Sequence, residues 1–208
     1  MLNIGVLVSG GGTNLQAIID RIEDGYLKDC RIAIVVSSKQ SAYALERAKK
    51  HNLPAVCIPR KEYSSLDDYD SAIIQCFETH KVELVVMAGF LTILGQKFSD
   101  KYKNRILNVH PALIPSFCGK GYYGLTPHIK ALEYGVKVTG ATVHFVELEA
   151  DAGPIVLQKA IEIREDDTPE TLQKRVMEEC EHKILPEAIK LFSENKLVIE
   201  GRRVRILS

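Results

Sequence analysis

The chain has 208 residues, and Lys plus Arg and Asp plus Glu each total 27, so the formal net charge is zero. That length suits one domain with a sizeable core. The balanced charge gives no clustered positive footprint for nucleic acid or an anionic membrane, while leaving room for a local cationic pocket around a small anion. The five cysteines, Cys30, Cys57, Cys76, Cys118 and Cys180, form no C-x-x-C pair, and an odd, scattered set suits a reducing compartment better than a disulfide framework. No run approaches the ~18 apolar residues of a membrane span, and residues 2–8 read as a strand with no basic leader before it. A soluble, untargeted, cytoplasmic protein with no metal site is expected.

Short apolar runs at residues 2–8, 31–37, 54–58, 84–88 and 105–109 lack polar alternation, the pattern of parallel strands covered on both faces. Helices are expected between them at 14–24, 41–51 and 66–80; in the last, Tyr69, Ile73, Cys76, Phe77 and His80 recur at helical spacing. Repeated β-α-β units of this kind imply an α/β fold with a mostly parallel, twisted, Rossmann-like sheet and helices on both faces.

After residue 110 the rhythm changes. Residues 110–126 hold three Gly and two Pro and read as a long loop, a feature that in compact domains tends to be functional. A short helix at 127–134 ends on Gly135. Strands at 137–147 and 154–163, joined through Glu149-Ala150-Asp151-Ala152-Gly153-Pro154, predict an antiparallel extension of the sheet. Thr168-Pro169-Glu170 opens the last long helix, with a kink assigned to Pro186, and 196–199 with 202–206 form a terminal hairpin. The expected organisation is one domain, 1–208, with a phosphate-binding half at 1–109 and a second half at 110–208 that carries the chemistry.

The first strand runs into Ser9-Gly10-Gly11-Gly12-Thr13-Asn14-Leu15. Glycines let the backbone approach a ligand, and amides at a helix start favour an anion, so phosphate is the natural guest. A dinucleotide is not: the third glycine of G-x-G-x-x-G would fall on Leu15, and Val35-Val36-Ser37-Ser38-Lys39 supplies no acid for a ribose. The P-loop lysine is absent too. A plain strand-to-helix turn is the simpler alternative.

The fifth strand ends in Asn108-Val109-His110-Pro111. Ligands of open parallel sheets sit beyond the carboxyl ends of strands, and alternation puts Asn108 and His110 on one side. An amide beside an imidazole can polarise a carbonyl and hold oxyanion charge, and histidine moves protons near neutrality. Asp151 is the candidate partner, whose charge would raise the His110 pKa; a turn-forming Asp is the alternative. His144 reads as a strand residue with a structural hydrogen bond, His51 and His80 as helix-end residues, and His128 and His182 are ambiguous.

These segments, with Asn108-Val109-His110-Pro111-Ala112-Leu113-Ile114-Pro115 and Thr142-Val143-His144-Phe145-Val146 ahead of Asp151-Ala152-Gly153, stand in the order and spacing of the phosphoribosylglycinamide formyltransferase family, which the chain resembles from its first strand to Glu181-His182. The resemblance implies transfer of a formyl group from 10-formyltetrahydrofolate, the co-substrate, to the amine of glycinamide ribonucleotide. It implies that Gly11, Gly12, Thr13, Asn14 and Leu15 hold the phosphate, and that Glu181 binds the ribose. It also implies that Leu91, Thr92, Ile93 and Leu94, with Asn108, line the folate pocket. Asn108, His110 and Asp151 match the catalytic trio, with protonated His110 and Asn108 stabilising the oxyanion. Many relatives carry Arg where this chain has Thr92, and Arg or Lys near Leu66, so Arg60, Lys61 or Lys120 would have to meet the folate's anionic tail. A 10-formyltetrahydrofolate hydrolase is the alternative, since transfer and hydrolysis differ mainly in the nucleophile admitted. A tRNA formyltransferase would need extra chain and basic surplus, and a module that binds phosphate without catalysis would leave the Asn-His-Asp set unexplained.

Overall fold

Runs of Val, Ile and Leu that are apolar at every position can be stable only where both faces of a strand are covered. In the computed structural model, which describes all 208 residues, β1 (Leu2–Val8), β2 (Cys30–Ser37) and β4 (Leu84–Met87) meet that condition. Val6, Leu7 and Val8, then Val35 and Val36, then Leu84, Val85 and Val86 are fully buried as consecutive residues. The chain divides into two compact units, Met1–Asn108 and Val109–Ser208. The fold is α/β, mostly parallel, with antiparallel strands towards the C-terminus, as the alternating pattern implies.

In the first unit the strands run parallel in the order β3-β2-β1-β4-β5, with β3 at Ala55–Cys57 and β5 at Ile106–His110. β3 departs from the covered pattern: it is three residues long, and Ala55 and Val56 are exposed, as an edge strand allows. Helices α1 (Thr13–Glu23), α2 (Tyr43–Lys50) and α3 (Leu66–Thr79) alternate with the strands. α3 buries Tyr69, Ile73 and Phe77, spaced four apart, and Ser65 caps its start by accepting the Asp68 amide at 3.0 Å. His51 and His80 are the C-caps of α2 and α3, as expected.

A fourth helix, α4 (Gln96–Lys101), has no counterpart among the sequence expectations. Its cap comes from a distant part of the chain. Asp70, fully buried on α3, accepts the Gly95 amide at 2.9 Å and the Phe98 amide at 3.0 Å. Phe98 and Tyr102 then pack on Phe77, with ring centroids 6.0 and 5.8 Å away.

In the second unit α5 (Thr126–Tyr134) ends on Gly135, and β6 (Val138–Phe145) pairs antiparallel with β7 (Ile155–Glu162). The terminal hairpin is β8 (Leu197–Glu200) with β9 (Arg203–Ile206), β9 touching β7 in parallel at Ile155 and Arg203. Helix α6 (Pro169–Val176) starts on a reciprocal cap between Thr168 and Thr171, with Pro169 in its first turn. The last long helix is interrupted by a π turn, Met177–Glu181, that has no counterpart among the sequence expectations, and Pro186 lies inside the following helix, α7 (His182–Ser193). Proline deletes one amide but fits a helix whose neighbours tolerate the lost bond, whereas the π turn inserts an extra residue and turns Cys180 and Glu181 inward, where both are buried.

Replacing Asp70 by Ala should lower unfolding free energy by about 2 kcal/mol, since it removes a cap and strands two buried amides. Urea denaturation followed by circular dichroism measures this, and an unchanged midpoint would contradict the capping role.

Candidate active site

Two constellations stand out, one in each unit. In the first, β1 delivers the glycine loop directly onto α1, whose N-cap is Gly12 at φ 72° with no side-chain cap. A side chain there would be strained, and a Cβ would come within 2.6 Å of the Ala44 Cβ on α2, so only glycine fits. Ser9 steadies the loop: its hydroxyl lies 2.7 Å from the Ser38 hydroxyl and accepts the Leu91 amide at 2.9 Å. Asn14 and Leu15 are buried at the start of α1, and Thr13 is half-buried. A helix start without a side-chain cap, entered through glycines, is a suitable seat for an anion. The segment from Leu91 to Leu94 presents apolar side chains outward, with Leu91 51% and Ile93 75% exposed. Arg60 and Lys61 line a half-open cavity of about 580 Å³ with Lys39, Ser38 and Ser41.

In the second unit the structure brings His110 and Asp151 together. His110 is buried at the end of β5, and its Nδ1 lies 3.5 Å from Asp151 Oδ2. Its Nε2 is 2.9 Å from the Phe117 carbonyl, which only accepts, so this nitrogen carries the proton. Asp151 Oδ2 also accepts the Gly119 amide at 2.8 Å. Asn108 precedes His110 by two residues on the same strand and shares its face by alternation. The backbone that leaves β5 is tied down by two side chains. Thr142 on β6 donates to the Ala112 carbonyl at 2.7 Å and accepts the Ile114 amide, while Gln158 on β7 donates to the Ile114 carbonyl at 3.0 Å.

Asp151 takes the left-handed conformation of a turn residue, φ 55°, and its carboxylate also lies beside His110. Gly153 follows because a Cβ there would sit 1.8 Å from the Phe145 carbonyl oxygen, a contact that holds the turn against the end of β6.

Two histidines join this cluster that the sequence did not assign to it. His144 makes the structural bond expected of it, Nδ1 to the Phe145 carbonyl at 2.8 Å, but its Nε2 also stands 3.5 Å from Asp151 Oδ1. Its spacing from Thr142, two residues along one strand face, was the available signal. His128, on α5, is fully buried, and neither ring nitrogen has a hydrogen-bond partner. Burial, then the charge of His110, pushes its pKa down to about 4, so the ring is neutral near pH 7. Nothing in the local sequence distinguishes it. Glu181 is 7% exposed at the end of the π turn.

Asp151 raises the His110 pKa, as expected, but the net shift is downward. Burial lowers it, and this outweighs the opposing pull of the Asp151 charge and the Phe117 carbonyl. Burial alone would raise the Asp151 carboxyl. The hydrogen bond from His144, the His110 charge and the Gly119 amide together hold it below the ordinary carboxylate value. The resting pair is therefore a carboxylate beside a neutral imidazole. No group of three or more His, Cys, Asp or Glu is arranged to hold a metal ion, and no helix is long and apolar enough to cross a membrane.

Because Asp151 is the charge that raises the His110 pKa, Asp151→Asn should move that pKa further down from a parent value already below 6.5. Imidazole proton shifts followed by NMR against pH measure it. An upward or absent shift would contradict the assigned electrostatics.

Residues 2–189 match the family model described as formyl transferase. The chain is 41% identical over 197 residues to the phosphoribosylglycinamide formyltransferase of Haemophilus influenzae, covering 95% of this chain and 90% of that one. It is 40% identical to the trifunctional purine biosynthetic protein adenosine-3 of Gallus gallus over 95% of this chain, but spans only 19% of that protein's length. Among solved structures, glycinamide ribonucleotide transformylase 1 from Symbiobacterium toebii superposes with a TM-score of 0.94 at 46% identity, over 100% of this chain and 95% of that one. The chain belongs to the formyl transferase family.

Proposed function

We propose that this protein transfers the formyl group of 10-formyltetrahydrofolate to the amine of 5-phosphoribosylglycinamide, as a cytoplasmic enzyme of purine biosynthesis acting on small molecules. The observation that carries the reading is the buried pair itself: a carboxylate 3.5 Å from an imidazole whose other nitrogen bears a proton. The relatives named for this reaction support the choice of substrates.

In this reading the glycine loop, through Gly11, Gly12, Thr13, Asn14 and Leu15, receives the phosphate, and Glu181 receives the ribose hydroxyls. Leu91, Thr92, Ile93 and Leu94 meet the folate ring. The amine nitrogen attacks the formyl carbon, and the carbonyl electrons move onto oxygen. Asn108 donates to that oxyanion, and the Nε2–H of His110 does so by exchanging the Phe117 carbonyl for it. As negative charge builds, the imidazole becomes more basic and takes the proton that the attacking amine releases through water, on the side facing Asp151, whose charge then stabilises it. The oxyanion electrons re-form the carbonyl, the C–N bond to the folate breaks, and the folate nitrogen takes that proton from the imidazolium through water, which returns the ring to neutral. A neutral resting His110 fits this sequence, because the ring gains charge only when the oxyanion does.

The assay is release of deformylated folate in the presence and absence of glycinamide ribonucleotide. Release should require the ribonucleotide; release without it would indicate a hydrolase and overturn the reading, as would binding without turnover. Asp151→Asn should lower kcat by roughly 10²–10⁴-fold while ribonucleotide affinity is kept.

The anionic tail of the folate falls to Arg60 and Lys61, which share the cavity beside Lys39. Lys61→Ala should raise the Michaelis constant for a polyglutamylated folate several-fold, about one surface-charge contact, and leave that for the monoglutamate unchanged. Equal constants for the two folates in the variant and the parent would refute it.

A further inference from the structure

The glycine loop is held by α2 rather than by itself. The Ala44 amide donates to the Gly10 carbonyl at 3.1 Å, and Arg47 Nε donates to the Gly11 carbonyl at 2.8 Å. A trans peptide is planar with its C=O and N–H pointing in opposite directions. Drawing the Gly10 and Gly11 carbonyls towards α2 therefore turns the amides of Gly11 and Gly12 away from it. Arg47 is fixed in its turn. Its Nη1 donates to Gln16 Oε1 at 3.0 Å, and its guanidinium lies 5.1 Å from the Tyr43 ring centroid. Gln16 Nε2 donates to Asp20 at 2.8 Å and lies 3.0 Å from His51 Nε2, and His51 Nδ1 lies 2.7 Å from Glu23. The half-buried arginine is thus the inner end of a chain of polar contacts that runs through α1 to the surface.

We propose that Arg47 is a positioning residue for recognition of the phosphorylated substrate: by pinning the Gly11 carbonyl, with Gln16 holding the other edge of its guanidinium, it sets the direction of the amides that meet the phosphate. The proposal rests on the reading of the loop as the phosphate seat. The planar fork makes two directed bonds at once, one to backbone and one to Gln16, which a lysine ammonium cannot reproduce. Its role is geometric, so charge alone should not replace it.

The test compares Arg47→Ala, Arg47→Lys and Gln16→Met with the parent. Arg47→Ala should raise the Michaelis constant for glycinamide ribonucleotide about ten-fold, the size of one charge-assisted hydrogen bond. The kcat at saturation and the constant for the formylfolate should stay within about two-fold. Arg47→Lys should recover little of the loss. An unchanged ribonucleotide constant in Arg47→Ala, full recovery in Arg47→Lys, or an equal weakening of both substrates would overturn the proposal. If Arg47→Ala does not fold, Gln16→Met decides, with about three-fold weaker ribonucleotide binding expected and none overturning it. Calorimetric titration with ribose 5-phosphate separates the two readings. A parent that binds it, with affinity lost in Arg47→Ala, but does not formylate the ribonucleotide leaves the arginine's role standing and removes the proposed function. A parent that binds neither ligand overturns both.

Discussion

The Asp151 carboxylate is 13% exposed, and a charge so far withdrawn from water is tolerable only where donors replace the water. Two groups do so, the Gly119 amide and His144, and His110 adds its charge only when its ring is protonated. The two donors come from different segments, the loop after β5 and the strand β6. The demand of one carboxylate for donors therefore fixes two pieces of backbone against the turn that carries it. The turn is shaped for this, with Asp151 in a left-handed conformation and Gly153 close enough to the Phe145 carbonyl to exclude any side chain. Loss of the charge would loosen the loop through Gly119 as well as the imidazole.

The same burial governs His110. Its two ring nitrogens face acceptors, a carbonyl and a carboxylate, and only a doubly protonated ring could donate to both. Burial opposes that charge and outweighs the pull of the two acceptors. An anion forming beside Nε2 would supply the missing compensation and tip the ring towards its charged form. The buried, neutral His128 adds no competing charge at neutral pH, since its own protonation is displaced to about 4. A site that becomes charged only alongside its reaction partner stabilises the transition state more than the ground state, and that difference is what accelerates a reaction.

What the sequence could convey follows from the range of each interaction. The buried parallel strands were legible because a run such as Val6-Leu7-Val8 needs cover on both faces whatever lies elsewhere. The helix α4 was not, because its cap is supplied by Asp70, 25 residues before Gly95. The π turn in the last long helix was not legible, because no residue type marks a π turn as proline marks a possible kink. His110 and Asp151 were legible as a pair by motif. The sign of the His110 shift was not, since it depends on how much of the ring is buried. His144 was half read: its bond to Phe145 is local, whereas its approach to Asp151 needs the turn to fold back.

Loops that present backbone groups to a ligand face a common difficulty, because amides and carbonyls free to rotate lose entropy on binding. Both units answer it with side chains from neighbouring regular elements bonded to the loop's own carbonyls. In the first unit Arg47 on α2 holds Gly11; in the second, Thr142 on β6 and Gln158 on β7 hold Ala112 and Ile114. In each case the anchoring side chain sits on a helix or strand, so its own position is already fixed by packing. In the proposed reading the loops carry the function, while the cost of ordering them is met during folding. The anchoring residues, Arg47, Thr142 and Gln158, accordingly lie outside the motifs that would mark the chemistry.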